Sequence, residues 1–159
     1  MTEIYRHATA RWVRIVEGAI SLSHDPKTMD EWAHCVGVSR TKLKSLCAAV
    51  GLSGKLSLDF ARLLRASIRA EYDGVENALD ILDIEDKRTL AKLCIRAGLH
   101  EPCTSPAAFI AEQKIVTSPS LKEAVSSIVD SRTINVRGTI AISDQKSGHK
   151  TARSGSQSN

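Results

Sequence analysis

Residues 28–52, TMDEWAHCVGVSRTKLKSLCAAVGL, compress a capped helix, a turn around Gly37 and a second capped helix into 25 residues. Thr28 with Glu31 three positions later has the form of a capping box, in which hydroxyl and carboxylate satisfy amide donors at a helix start. Ala33 is small enough to let two helices approach closely. Gly37 supplies the left-handed backbone that ends the first helix. Val38 then points inward, and Ser39 is placed to cap the second helix. This is the sequence form of a helix-turn-helix, the unit that sets one helix in the major groove of DNA.

Composition frames the rest. With 159 residues and only 4% aromatic side chains, the core must be built from Leu, Ile, Val and Ala, which favours an all-α fold. Trp12, Ile15, Val16, Ala19 and Ile20 recur at helical spacing, predicting an amphipathic helix over 8–22. After the SHDPK break, helices are predicted near 28–36 and 39–50, and a long one over 57–71 with Leu58, Ala61, Leu64 and Ile68 on its apolar face. A short acidic helix at 75–84 and another at 87–97, closed by Gly98, follow. Ser105-Pro106 and Ser118-Pro119 each pair a cap with a first-turn proline, opening helices to about Lys114 and about Asp130. Beyond Ser131 the periodicity ends and Ser, Gly and Lys dominate, so 1–131 is expected to form one helical domain and 132–159 a disordered basic tail. The run TIAI at 139–142 favours strand but stands too isolated to build a sheet.

The net charge of +4 resides wholly in 132–159, where Arg132, Arg137, Lys146, Lys150 and Arg153 face Asp144 alone. The neutral body is sorted by sign. Residues 40–69 hold seven basic side chains against Asp59, whereas 71–86 hold seven acids and no Lys or Arg. A basic block coinciding with the helix-turn-helix is the footprint a polyanion would meet, and pairing between the two blocks is the competing use. No run of 18 apolar residues is present and the first residues lack an apolar signal core, so a cytoplasmic protein outside the membrane is expected. Cys35, Cys47 and Cys94 fall where a helical core accepts small apolar side chains, and the four thiols read as reduced and structural. Cys94, His100 and Cys103 lack a recognised zinc spacing and a fourth ligand. Asp80 and Asp83 sit in an open acidic run, no Gly-rich phosphate loop occurs, and no cofactor, metal, small-molecule ligand or catalysis is expected.

Ala33, Gly37-Val38-Ser39, Leu43, Gly51-Leu52-Ser53 and then Arg62-Leu63 and Arg65-Ala66 resemble the DNA-binding domain of the AraC/XylS transcription regulators. In that family a first helix-turn-helix leads through Gly-(Ile/Val)-Ser to a linker helix with an Arg-Leu-x-x-Ala pattern. The resemblance covers 28–69. It implies a second, degenerate motif at about 87–114, with Leu90, Leu93, Gly98 and Leu99 on its scanning helix and turn. Ser57 stands where the family carries an aromatic, and HEPCTSPAAF replaces the Phe-rich second recognition helix. The resemblance also implies that Arg62 ties helices together.

In the second helix of the motif, Leu43, Leu46, Cys47 and Val50 form the inward stripe. Ser39, Arg40, Thr41, Lys42, Lys44 and Ser45 then become the DNA-binding candidates, the long cations for phosphates and guanine edges, the small side chains for close approach. Trp32 reads as core. Arg62 and Arg65, with Arg69, share one stripe of the linker helix, which serves either as a phosphate-tracking ridge or as a partner of the acidic block. The expected function is sequence-specific binding of double-stranded DNA in transcription regulation. A helical protein-interaction adaptor and a nonspecific nucleic-acid binder acting through the basic tail are the alternatives. Because one motif reads few base pairs, a homodimer is expected, formed through helix 8–22 or the helices at 106–114 and 119–130.

Overall fold

A computed structural model describes residues 2–74 and 77–146, with side-chain surroundings as far as Arg132. The described chain is all-helical, with eight helices and no strand. They are α1 (Glu3–Ile20), α2 (Met29–Val36), α3 (Arg40–Ala48), α4 (Gly54–Tyr72), α5 (Ala78–Ile81), α6 (Lys87–Arg96), α7 (Pro106–Glu112) and α8 (Pro119–Lys146). Among the described residues no helix is long and apolar enough to cross a membrane.

The organising element is α4. Residues 57–67 of this helix are all buried, so it is surrounded rather than amphipathic, and α1, α2, α3, α5, α6 and α7 each pack on it. The aromatic side chains gather there: Phe60 lies 5.7 Å from Trp12 of α1 and 5.3 Å from Phe109 of α7, centroid to centroid. Both tryptophans are fully enclosed and both find an acceptor, Trp12 Nε1 donating to Ser57 Oγ and Trp32 Nε1 to the Ile15 carbonyl. Ser57 is therefore fitted to Trp12, and the small hydroxyl leaves room for that indole.

Several boundaries differ from those the sequence suggests. Helix α1 begins at Glu3 because Thr2 caps it, accepting from the Tyr5 amide. Helix α4 begins at Gly54, capped by Ser53. Helix α8 does not stop near Asp130; it continues to Lys146, taking in 132–146 and the TIAI run. No proline after 119 interrupts its amide ladder. The remainder of the expected tail, 147–159, lies outside the described residues, as do 75–76 of the acidic helix. Cys47 and Cys94 are buried as expected, but Cys35 is exposed, because α2 turns Trp32 and Ala33 inward instead.

The apolar faces of the helices expected to serve a dimer pack within the chain. Trp12, Ile15, Val16, Ala19 and Ile20 of α1, Phe109 and Ile110 of α7, and Leu121, Val125, Ile128 and Val129 of α8 are all buried in one body.

Candidate nucleic-acid interface

Each end of the helix-turn-helix is fixed by a local bond. Thr28 Oγ1 accepts from the Glu31 amide at 3.1 Å, and Glu31 Oε2 reaches back to the Lys27 amide at 2.7 Å, one residue before the usual capping-box target. At the other end Gly37 takes φ +73°, and the Val38 amide bonds to the Ala33 carbonyl at 3.0 Å. This six-to-one closure stops α2 and redirects the chain within two residues. Ser39 Oγ then accepts from the Lys42 amide at 3.1 Å and starts α3.

The inward stripe of α3 is Leu43 and Cys47, with Leu46 half-buried at its edge; the helix ends at Ala48 rather than at 50, and Val50 is buried in the turn that follows. At about 100° per residue, Thr41, Ser45 and Ala48 form the centre of the opposite face, with Lys44 and Arg40 on one flank and Lys42 on the other. All six are exposed. Ser39 is exposed too, but its hydroxyl is engaged as the cap.

On the Arg40 flank, a groove of about 570 Å³ runs between the start of α2, α3 and the start of α4, bordered by Lys27, Arg40, Lys44 and Lys55. Arg40 Nη1 lies 3.3 Å from Asp30 Oδ2, with both side chains more than half exposed. Such a pair is worth about 0–1 kcal/mol, so exchanging Asp30 for another anion costs little. Arg96 also borders this groove, but Nε and Nη2 hold both oxygens of buried Asp59, at 2.8 and 3.1 Å. That hydrogen bonding raises the Arg96 pKa further.

Arg62 and Arg65 correct the expectation of a phosphate ridge on the linker helix. Both are buried, Arg65 to 1% exposure. Arg62 sends Nε and Nη2 to Asp25 Oδ2 in the loop before α2, each at 2.7 Å. Arg65 donates to the carbonyls of Leu22 and Ile81, both at 3.1 Å. Burial lowers its pKa, with neighbouring Arg69 adding to the effect. These two arginines tie α4 to the α1–α2 loop and to α5, and neither reaches the surface of α3. Among the described residues no carboxylate of the acidic block forms an ion pair with Arg62 or Arg65; from this stripe Arg69 pairs with Asp73 at 2.9 Å. The sequence signal for Arg62 lay in the Asp25-Pro26 turn, where a carboxylate is held in a loop that α4 covers.

The second motif presents a different surface. Helix α7 spans only seven residues, buries Pro106, Phe109 and Ile110, and exposes Ala107, Ala111 and Glu112. It carries no Lys or Arg. Cys94, His100 and Cys103 border an apolar hollow of about 480 Å³ between α4, α5 and α6, away from α3. Among the described residues no group of three or more His, Cys, Asp or Glu side chains is placed to hold a metal ion. Burial, with Glu112 adding to it, pushes the Cys103 thiol up to about 11.

No protein-family model, curated protein or solved structure matches this chain.

Proposed function

We propose that this chain is a sequence-specific, double-stranded DNA-binding transcription regulator that reads its site with α3. The observation that carries this reading is the division of labour on one helix. Leu43 and Cys47 face the core, with Val50 buried just past the helix end, while Arg40, Thr41, Lys42, Lys44 and Ser45 are all exposed on a helix fixed at both ends of its turn. Small hydroxyl side chains at the centre and cations at the rim suit a helix lying in a groove between phosphate rows. The same features support kinship with the AraC/XylS DNA-binding domains through the first motif and the linker helix. Helix α7, short and without cations, adds no second basic reading head, which favours two copies of the chain on a repeated site.

Selection of bound sequences from a random double-stranded pool, followed by binding across a salt series, tests the reading. A recovered consensus whose affinity falls with rising salt supports it. Binding without sequence preference would replace it with nonspecific nucleic-acid association, and no binding at all would favour the adaptor.

A further inference from the structure

We propose that α1 is part of the DNA-contacting surface: Arg11 and Arg14 of α1, with Lys42 of α3, grip the phosphate row on the flank of α3 opposite Lys44. The inference rests on the DNA reading above and extends it to a helix outside the motif. Lys42 and Lys44 are two residues apart and so project about 160° from each other around α3, with Thr41 and Ser45 between them. On the Lys42 side, a groove of about 420 Å³ is bordered by Arg11, Arg14 and Lys42 over a floor that includes Val36, Val38 and Leu46. Helix α1 packs against α2 and α3, which holds its two arginines beside the motif.

Three cations converge there, and all three are exposed. Among the described residues none of them has a hydrogen bond or ion pair of its side chain. This contrasts with Arg62, Arg65, Arg69 and Arg96, each of which is engaged within the body. Cations left unpaired around an apolar floor are a surface suited to a polyanion. A helix in a B-form major groove lies between two phosphate rows. The Arg40–Lys44–Lys55 side serves one row and the Lys42–Arg14–Arg11 side serves the other. The spacing within α1, three residues, sets the two guanidinium groups nearly one above the other along the helix, suiting successive phosphates.

The test is fluorescence anisotropy on a selected duplex between about 50 and 200 mM salt. It compares wild type, Lys44→Ala, the double variant Arg11→Ala/Arg14→Ala, and Arg11→Lys/Arg14→Lys, with circular dichroism melts confirming that each folds. The double alanine variant should shallow the plot of log affinity against log salt by about 2, and the double lysine variant should restore most of the slope. If Lys44→Ala shallows the slope while Arg11→Ala/Arg14→Ala keeps it, the second flank is wrong and the α3 reading stands. A wild-type protein that does not bind DNA overturns both. Loss of affinity without change of slope would show that the arginines act through packing and would also overturn the inference.

Discussion

Arg62 and Asp25 meet at 2.7 Å across 37 residues of sequence, with two guanidinium nitrogens converging on the single oxygen Oδ2. The other carboxylate oxygen, Oδ1, is buried and without a hydrogen-bond partner among the described residues. The pair anchors the loop that delivers the chain into α2, and so helps orient the whole helix-turn-helix on α4. Removing one member leaves the other charge buried and uncompensated. Arg62→Ala or Asp25→Ala should therefore destabilise the fold by about 3–5 kcal/mol, whereas Arg62→Met with Asp25→Leu should recover much of that loss. Urea unfolding of the four proteins measures this; a single variant within about 1 kcal/mol of wild type would mean the pair is not the anchor.

The two cap-and-loop aspartates should titrate on opposite sides of their ordinary value. Burial raises the Asp25 pKa above 3.8, and the hydrogen bond and charge of Arg62 only partly offset this. The Thr89 amide and hydroxyl, bonding to the Asp86 cap of α6, hold that carboxyl below 3.8. The stability contributed by Asp86 is thus full above 3.8 and lost as pH falls through its folded value. Asp25 has the opposite sign, its contribution falling as pH rises from 3.8 through its folded value. Carboxyl carbon NMR should show the Asp86 midpoint below 3.8 and the Asp25 midpoint above it, and the reverse order would contradict the assignment.

Helix α8 is fastened at Arg132. Its Nη2 donates to Ser21 Oγ at 2.6 Å and to the Glu17 carbonyl at 3.4 Å, placing a cation at the C-terminal end of α1. A positive charge there is worth about 1 kcal/mol. Truncation after Ser131 should lower the melting temperature, and Arg132→Ala in the full chain should reproduce most of the drop. Truncation after Arg132 that melts as low as truncation after Ser131 would show that later residues, not this contact, hold the helix.

What could be read from sequence follows the range of the interaction. Thr28, Ser39 and Ser105 cap helices through bonds to amides three residues away, so their roles were legible in short segments. The start of α4 was not, because Gly54 is a poor helix former. Its missing side chain is used nonetheless: a Cβ there would lie 2.6 Å from Met29 Cε. The inward stripe of α3 was legible because it repeats with the helix. The role of Arg62 as a tie between helices was implied by the family resemblance, but its partner Asp25, 37 residues back, was not; nor was the burial of Arg65, whose partners lie 43 residues back and 16 ahead. Gln113 is the exception, since its partners lie within three residues yet no cap or breaker pattern marks it. Its buried amide donates to the carbonyls of Ile110 and Val116 and accepts from the amides of Ile115 and Val116, fixing the α7–α8 turn. Arg11 and Arg14 were hidden as Arg65 was, being distant in sequence from the motif they flank.

In the proposed reading the exposed centre of α3 reads bases while its rim holds phosphates. The most direct measurement is the base preference of wild type, Thr41→Ala, Ser45→Ala and Lys44→Ala, each selected against the same random duplex pool. Thr41→Ala and Ser45→Ala should relax or change the preference at one or two positions of the consensus. Lys44→Ala should weaken binding to all sequences and reduce the salt slope by about 1. An unchanged consensus and unchanged affinity in all three variants would contradict the account and remove α3 from the interface.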